Sequence, residues 1–389
     1  SQPINNMLKD NNVDMFRNNS RQSLGNVLLT GATGYLGIHV LQELIDSDAK
    51  QIYCLVRDKD MDAAEHRLKL LLFYYFENTY DELFGNRLQI VLGDVTNDFT
   101  DSVKAKIDTV FNCAAVVKHF SKGTEIEDVN IGGAQRCVDF CLATGARLVH
   151  VSTYSTKGLA VDGVPSPDHI FDEQVLFMGQ YLGNQYVYSK FIAERIILQA
   201  IVDQGLSAKV MRVGNLAARS TDGEFQVNFG TNAFMGRIKV YNMLGCIPYE
   251  LYEEDVEFSP INEVAHAILL LSSTPKQNCL FHVYNSHTQF LGDVLSEFKN
   301  INGEIKFVEN EEYKAALDAA MTDPDKAKDL SSLVAYQDLA HGKKVTEVPL
   351  TNTYTTQVLH RLGFKWSATT WDYIDQMLDA ISGLGFFEK

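Results

Sequence analysis

The stretch that decides the fold of this 389-residue chain is Thr30-Gly31-Ala32-Thr33-Gly34-Tyr35-Leu36-Gly37. It follows a short apolar run at 26–29 and opens a segment whose apolar residues recur at helical spacing. A strand, a glycine turn and a helix N-terminus together form an anion site, because backbone N–H groups point outward and the helix dipole favours negative charge. The glycines leave room for a pyrophosphate to approach the backbone. The stretch therefore predicts a dinucleotide-binding turn made by Gly31, Thr33, Gly34, Tyr35, Leu36 and Gly37.

The rest of the chain alternates between short β-rich runs and helical patterns. The further strand runs are 51–56, 88–92, 109–112, 147–151 and 208–212. Strands that alternate with helices predict an α/β fold with a Rossmann-type, doubly wound parallel sheet. Ligands of such a sheet bind at the carboxyl ends of its strands, and the polar motifs of this chain fall at those ends.

Composition predicts three segments. Residues 1–25 are rich in Asn, Ser and Gln and predict a linker or docking arm rather than a domain. The cofactor domain is expected over 26–284, with a substrate-side excursion at about 215–258. Helical patterns dominate 285–389, which predicts a smaller, mainly helical substrate-binding domain. The first residue is not methionine, which is consistent with a piece of a longer protein.

Charge and composition narrow the classes of partner. The chain has 46% hydrophobic and 22% charged residues, which is typical of soluble globular proteins. A formal net charge of −16 argues against nucleic acid as a partner. The sequence contains neither an apolar run of membrane-spanning length nor a signal-peptide pattern. Six cysteines lack the spacing of a metal site, so we expect buried thiols, no metal and a cytoplasmic location.

Tyr186 and Lys190 form the spacing Tyr-x-x-x-Lys in a segment that predicts a helix continuing to about residue 204. Four residues apart on a helix, the phenol and the ammonium share one face. The cation can then bind a nicotinamide ribose and lower the pKa of the tyrosine. Such a tyrosine would protonate a carbonyl oxygen that receives hydride. Tyr188 has the wrong spacing to share a face with Lys190.

The strand run that starts at 147 ends in small hydroxyl residues at the expected carboxyl edge of the sheet. Thr153 is the hydroxyl that we expect to polarise a substrate carbonyl. Ser152 is the alternative for that role, and turn formation at a strand end is the alternative for the whole motif.

Arg57 closes the second strand run, where the adenosine ribose binds in such folds. A carboxylate there would accept from a 2′-hydroxyl, whereas an arginine suits a 2′-phosphate, so Arg57 favours NADP over NAD. The neighbouring Asp58 argues in the other direction. Arg67 either adds a second charge for the phosphate or belongs to a solvated helix face.

Three further strand ends predict contacts to the cofactor. Asp94 and Val95 follow the third strand run, where a carboxylate can accept from an adenine edge. Ala114 follows the fourth run, where small residues permit close approach. Asn130 either orients Lys190 through water or makes an ordinary helix contact.

These motifs together resemble the extended short-chain dehydrogenase/reductase superfamily. At finer detail the sequence resembles the thioester reductase domains that terminate nonribosomal peptide synthetases, which are kin of the carboxylic acid and aminoadipate reductases. The resemblance extends from about residue 26 to the C-terminus. The stretches that carry its finer part are Leu55-Val56-Arg57 with a helix at 66–76, Asn86-Arg87-Leu88, Gly93-Asp94, Asn112-Cys113-Ala114-Ala115, Val117-Lys118-His119-Phe120, Tyr186 with Ser189-Lys190, Arg212-Val213-Gly214-Asn215-Leu216 and Leu362-Gly363-Phe364-Lys365-Trp366.

The resemblance implies NADPH-dependent reduction of an acyl or peptidyl thioester on the phosphopantetheine arm of a carrier domain. Thr153 and Tyr186 would stabilise the oxyanion, and Lys190 would hold the ribose and tune Tyr186. The product would be an aldehyde, which some relatives reduce further to an alcohol. A monomeric domain of a multidomain synthetase is expected.

Two features depart from the family pattern. Tyr154 places a bulky aromatic residue where smaller ones are common. The net negative charge of the chain disfavours binding to a carrier domain, because carrier domains are usually acidic as well. A local basic patch would resolve this, with Lys343 and Lys344, or Lys118 and Lys122, as candidates.

Other functions compete with thioester reduction. A sugar-nucleotide epimerase or dehydratase uses the same Thr, Tyr and Lys set with tightly held NAD, but Arg57 and the helix at 66–76 argue against it. A fatty acyl-CoA or carboxylic acid-type reductase would need no carrier. A non-enzymatic NADP sensor often lacks the tyrosine or the lysine, and this chain has both.

Overall fold

The computed structural model describes residues 1–11, 21–117, 123–227, 232–302, 304–330 and 343–385. The helices are α1 (Gln2–Lys9), α2 (Tyr35–Ile45), α3 (Met61–Phe76), α4 (Gly133–Thr144), α5 (Gln185–Gln204), α6 (Ala233–Leu244), α7 (Ile261–Ser272), α8 (Leu291–Asn302), α9 (Asn310–Met321), α10 (Thr353–Arg361) and α11 (Trp371–Gly383). The strands are β1 (Asn26–Thr30), β2 (Gln51–Val56), β3 (Leu88–Leu92), β4 (Thr109–Asn112), β5 (Arg147–Thr153), β6 (Leu159–Val161), β7 (Ala208–Val213), β8 (Leu216–Ala217), β9 (Cys246–Pro248), β10 (Asp255–Glu257), β11 (Ser259–Pro260), β12 (Leu280–Val283), β13 (Thr288–Phe290), β14 (Lys306–Val308) and β15 (Val345–Glu347). Within these residues no helix combines the length and the apolar character needed to cross a membrane.

Seven parallel strands form the main sheet in the order β12-β7-β5-β4-β1-β2-β3. The strand β1 lies between β2 and β4, so the chain reverses its direction of winding there. This reversal is the point at which doubly wound sheets bind their ligands. The register aligns Thr30 with Asn112 and Asn112 with His150, which places three polar side chains side by side. The predicted Rossmann-type sheet is confirmed.

Helices α4 and α5 cover one face of the central strands. Leu28, Val110 and Leu148 contribute to a core shared with apolar residues of both helices, and each is at most 1% exposed. Helices α2 and α7 pack against each other and also contact strands of the sheet. Burial of this apolar surface fixes the carboxyl ends of the strands and the start of α5 relative to one another.

The contacts divide the chain into two units. The first contains Ser1–Gly214, Ile261–Val283 and Thr346–Lys365, and the second contains Asn215–Pro260, Tyr284–Val345 and Trp366–Lys389. The sequence predicts that the cofactor domain ends and the substrate-binding domain begins near residue 285, and the structure differs from that prediction in two ways.

The predicted excursion at 215–258 belongs to the second unit, because β9 and β10 pair with the later strands β14 and β13. A segment near the C-terminus also returns to the first unit, where α10 contacts β12 and α7. Neither the strand pairing nor the packing of α10 can be detected in a local stretch of sequence, because each joins segments that are far apart in the chain.

The predicted linker at 1–25 is wrong for its first eleven residues. Ile4 and Leu8 of α1 are at most 1% exposed and join the core beneath α5. Asn11 is fully buried, and its side chain bonds the backbone of residues 173, 279 and 280 at 2.7–3.3 Å. The apolar residues Val13, Met15 and Phe16 lie outside the described residues. Residues 1–11 are therefore part of the first unit and are held there by buried contacts. Their polar composition does not indicate these contacts.

Replacing Asn11 with alanine should lower the free energy of unfolding by about 3 kcal/mol, because buried backbone groups lose their partners. Urea unfolding followed by circular dichroism measures this change. The exposed Asn6 on the same segment is the matched control, and Asn6→Ala should change stability by less than about 0.5 kcal/mol. Equal effects of the two substitutions would contradict a structural role for Asn11.

Candidate active site

The glycine turn after β1 lies closely against the end of β4. Gly31 has a φ of +72°, and a Cβ there would lie 2.5 Å from the backbone nitrogen of Ala114. A Cβ on Gly37 would lie 1.7 Å from the carbonyl oxygen of Gly31. Only glycine satisfies both constraints, so the spacing of the motif is needed for the turn itself.

The first turn of α2 is suited to an anion. Its N-cap residue is Gly34, which makes no side-chain capping bond, and the first N–H groups of a helix have no partner within the helix. The side chains of Tyr35 and Leu36 are buried, so these two residues can offer only backbone groups to a ligand. This geometry fits the pyrophosphate of a dinucleotide.

Two arginines lie together beside this turn. Arg67 donates to the Thr33 hydroxyl and to the carbonyl oxygen of Arg57, both at 2.9 Å. The Arg57 guanidinium lies 3.5 Å from Asp94, with 81% of its side chain exposed. Asp58 lies 3.5 Å from Arg67. The structure thus places Arg57, Arg67, Thr33 and Asp94 in one cluster, with the expected adenine-binding carboxylate beside Arg57.

Helix α5 carries the predicted catalytic pair. It begins at its N-cap residue Asn184, whose side chain accepts from the backbone N–H of Val187, and it ends at the left-handed Gly205. Tyr186 and Lys190 are one helical turn apart, as their spacing predicts. The neighbouring Tyr188 is 50% exposed.

Lys190 is buried against strand β5. Its ammonium donates to the carbonyl oxygen of Val151 at 2.7 Å. Burial lowers the pKa of Lys190 to about 8, while the charge of Glu194 and the thiol of Cys113 oppose that decrease. Burial, together with the nearby Lys190 charge, keeps the pKa of the His150 imidazole well below its usual value. Lys190 therefore remains mostly an ammonium at neutral pH.

The pKa of Tyr186 moves in the opposite direction from the one expected from sequence. Burial raises the pKa of Tyr186 to about 12, because the phenolate would lose its hydration. The Lys190 ammonium that was expected to lower it is bound to the carbonyl oxygen of Val151. Tyr186 is therefore a neutral phenol at neutral pH, which is the form that donates a proton.

Thr153 and Ser152 have different environments at the end of β5. The Thr153 hydroxyl oxygen accepts from the backbone N–H of Ser155 at 3.1 Å. This bond does not use the hydroxyl proton of Thr153, which can therefore be donated to another acceptor. Ser152 donates to the buried carboxylate of Glu194 at 2.5 Å. This geometry favours Thr153 over Ser152 as a donor to substrate.

Asn130 lies in a π-helical turn, Glu127–Gly132, that leads into α4. Its amide exchanges two hydrogen bonds with the backbone of Val116, at 2.8 and 3.0 Å, and donates to the hydroxyl of Ser189 at 3.0 Å. Asn130 therefore joins the segment after β4 to the residue that precedes Lys190.

A chain of buried polar groups crosses the three central strands. Thr30 donates to the Asn112 side-chain oxygen at 2.6 Å, and the Asn112 amide lies 3.1 Å from Nδ1 of His150. The backbone N–H of Ala114 donates to the Thr30 hydroxyl at 3.3 Å. This chain connects the glycine turn to the surroundings of Lys190. This chain of hydrogen bonds is not among the features predicted from the sequence, although a polar residue near the end of each of three apolar strands is a detectable signal.

The remaining predicted positions have less defined roles. Val95 is buried, and its carbonyl oxygen accepts from Arg136 at 2.8 Å. Cys113 is partly exposed, and the other five cysteines are buried. Lys343 and Lys344 are exposed, whereas Lys118 and Lys122 lie outside the described residues. Among the described residues no group of three His, Cys, Asp or Glu side chains could hold a metal ion.

Comparison with known proteins agrees with this geometry. The model of an NAD-binding family described as male sterility protein matches residues 29–268. The chain belongs to this family. A thiolation-reductase di-domain from an archaeal non-ribosomal peptide synthetase is 34% identical, with a TM-score of 0.88 over 99% of this chain and 81% of that one. The reductase domain of the aureusimine biosynthetic cluster is 24% identical, with a TM-score of 0.80 over 98% of each chain.

One relative is a much longer protein, of which this chain matches only a small part. A linear gramicidin synthase polypeptide of Brevibacillus parabrevis is 25% identical over 372 residues, which are 92% of this chain and 7% of that protein. The resemblance to reductase domains of nonribosomal peptide synthetases is confirmed, and the domain is an oxidoreductase that uses a nicotinamide cofactor.

Replacing Gly37 with alanine should weaken binding of the nicotinamide cofactor on the order of tenfold or more, because the turn must open to admit the Cβ. Fluorescence titration with NADPH measures the affinity. Gly236→Ala in α6 is the matched control, since a Cβ there meets open space, and it should leave the affinity unchanged. Normal affinity in folded Gly37→Ala protein would contradict the assigned binding turn.

Proposed function

We propose that this domain releases an acyl or peptidyl chain from a carrier domain by NADPH-dependent reduction of its thioester to an aldehyde. The observation that carries the proposal is the hydrogen bond from the Lys190 ammonium on α5 to the carbonyl oxygen of Val151 on β5. This bond fixes Lys190 against the strand that ends at Thr153, and Tyr186 lies one helical turn before Lys190 on α5. The similarity to a thiolation-reductase di-domain supports a thioester as the substrate.

The bound cofactor would supply a hydride to the thioester carbonyl carbon. Its pyrophosphate would lie at the first turn of α2, and Lys190 would bind the nicotinamide ribose. Gly31, Gly34 and Gly37 would permit the close approach, and Ala114 would leave room for the middle of the cofactor.

Thr153 and Tyr186 would act on the substrate oxygen. As the carbonyl carbon becomes tetrahedral, its oxygen gains negative charge, and both hydroxyls can donate to it. Tyr186 would transfer its proton, which its raised pKa retains at neutral pH, and so form a hemithioacetal. Cleavage of the carbon–sulfur bond then yields the aldehyde and the free thiol of the carrier. A second hydride and proton would convert the aldehyde to an alcohol.

The arginine pair beside the glycine turn supports NADPH over NADH. The exposed guanidinium of Arg57 and the nearby Arg67 place two cations where a 2′-phosphate would lie. Guanidinium groups bind phosphate through paired, charge-assisted hydrogen bonds. The contact between Arg57 and Asp94 is long enough, at 3.5 Å, for a phosphate to replace the carboxylate.

The partner would be a phosphopantetheinylated carrier domain, with this chain as a monomeric part of a multidomain synthetase in the cytoplasm. The relation to much longer synthetases supports this arrangement. The second unit would then serve as the substrate-binding domain.

Oxidation of NADPH in the presence of a panel of acyl- and aminoacyl-pantetheine thioesters tests the function, with aldehyde and alcohol products trapped for mass spectrometry. Tyr186→Phe should lower turnover about 100-fold or more while NADPH affinity changes little, because only the proton donor is lost. Tyr188→Phe is the matched control on the same helix, and it should retain turnover, since Tyr188 is half exposed.

Two results would count against the proposal. Turnover that survives in Tyr186→Phe would remove the assigned proton donor. Absence of thioester reduction, both with the panel and with substrates loaded on a carrier domain, would overturn thioester release in a protein that still binds NADPH.

Arg57→Ala should weaken NADPH binding roughly 10- to 100-fold and leave NADH binding unchanged, because a charge-assisted contact to the 2′-phosphate is lost. Fluorescence titration with both cofactors measures the difference. Arg21→Ala is a suitable control, since Arg21 is exposed and precedes β1 at the opposite edge of the sheet. Equal losses for NADPH and NADH would contradict recognition of the 2′-phosphate.

A further inference from the structure

Glu194 is a fully buried carboxylate one helical turn after Lys190 on α5. The Ser152 hydroxyl donates to its Oε1 at 2.5 Å, and the Thr156 hydroxyl lies 3.2 Å from the same oxygen. Arg212 of β7 donates to both carboxylate oxygens at 2.7–3.1 Å. Both oxygens of this buried carboxylate therefore have hydrogen-bond donors.

Arg212 is itself fixed from several sides. Its guanidinium lies 3.0 Å from Nε2 of His282, donates to the carbonyl oxygen of Val175 at 2.9 Å and lies over the ring of Phe171 at 4.3 Å. His282 in turn bonds the carbonyl oxygen of Thr351 through Nδ1 at 2.7 Å. The orientation of Glu194 is therefore set by β5, β7, β12 and the segment before α10.

The position of Glu194 bears directly on Lys190. The titratable groups that act on this ammonium are Glu194, one helical turn further along α5, Cys113 after β4, and His150 on β5. His150 is neutral at pH 7 because burial and the Lys190 charge keep its pKa well below the usual value, and burial raises the pKa of Cys113 to about 12. The charge of Glu194, one helical turn from Lys190, therefore opposes the lowering of the Lys190 pKa by burial.

The same carboxylate also holds the turn that carries Thr153. Ser152 and Thr156, on either side of it, both contact Oε1 of Glu194, and the Thr156 hydroxyl also lies 3.0 Å from the carbonyl oxygen of Thr153. The Glu194 side chain of α5 therefore holds both ends of the five-residue segment 152–156, which contains Thr153.

We propose that Glu194 is a positioning residue for reduction, which keeps the Lys190 ammonium charged and holds the Thr153 turn against α5. This inference rests on the proposed role of Lys190. Because Lys190 binds and acts as an ammonium, cofactor binding and reduction should fall as pH rises through the pKa of Lys190. Loss of the Glu194 charge lowers that pKa further, so the fall should move to lower pH.

The test compares the pH dependence of Glu194→Gln with that of the unaltered domain, using NADPH affinity from fluorescence titration and kcat with a pantetheine thioester. In Glu194→Gln the alkaline fall of both quantities should move to lower pH by about one pH unit or more. Glu194→Asp keeps the charge and should restore much of that shift. Asp203→Asn is the matched control, because Asp203 is an exposed carboxylate on the same helix, and it should leave the profile in place.

Glu194→Gln leaves the Arg212 charge buried without its partner and can fail to fold for that reason alone. The double variant Glu194→Gln with Arg212→Met removes both charges, and its alkaline fall should still move to lower pH, by less than in Glu194→Gln because the Arg212 cation is also lost. An alkaline fall that stays in place in a folded variant without the Glu194 charge would overturn the inference. Thioester reduction by the unaltered domain tests the proposed function separately, and the NADPH titration tests Glu194 even where no thioester is reduced.

Discussion

The buried ion pair between Glu194 and Arg212 is the interaction on which the rest of the site depends. Both side chains are fully inaccessible to solvent, and their nearest atoms are 2.7 Å apart. Loss of one partner of such a pair costs about 3–5 kcal/mol, because the other charge stays buried and uncompensated. The cost of dehydration is offset here by the hydroxyls of Ser152 and Thr156 and by the contacts of Arg212. The pair therefore joins α5 to β5 and β7 in one arrangement.

The candidate site contains two kinds of polar group: buried groups that hydrogen-bond one another, and exposed groups that are accessible to a ligand. The chain from Thr30 through Asn112 to His150 lies inside the sheet and fixes the ends of its three central strands. Arg57, in contrast, exposes most of its side chain beside the glycine turn. Buried polar groups have few alternative arrangements because each unmade hydrogen bond is costly, whereas exposed cations can reorient around a ligand. This division suits the proposed reaction, in which the reacting groups must be in place before the cofactor and the carrier-bound chain arrive.

The path of the chain through the two units explains why composition gave an incomplete account of the domains. The segment Thr346–Lys365 returns to the first unit after the chain has built most of the second. There Thr355 donates to the carboxylate of Glu173 from both its backbone and its hydroxyl, at 2.8 and 3.1 Å. Burial raises the pKa of Glu173 to about 7, and the two hydrogen bonds from Thr355 oppose that rise. Contacts of this kind join residues far apart in sequence and leave no local pattern.

The sequence by itself determined the parallel sheet, the glycine turn, the end of α5 near residue 204 and the one-turn spacing of Tyr186 and Lys190. Each of these depends on short-range periodicity or on the conformational freedom of glycine, so it is legible within about twenty residues. Only the tertiary structure decided that α1 packs against α5 and that burial raises the pKa of Tyr186. It also decided that the Ser152 hydroxyl donates to Glu194, whereas the Thr153 hydroxyl accepts from the backbone N–H of Ser155. The sequence shows that Glu194 follows Lys190 by one helical turn. Only the structure shows that Arg212 of β7 forms a buried ion pair with Glu194 and so fixes its position. Burial and long-range hydrogen bonds depend on which distant segments meet, and that is a property of the packed fold rather than of any single stretch of chain.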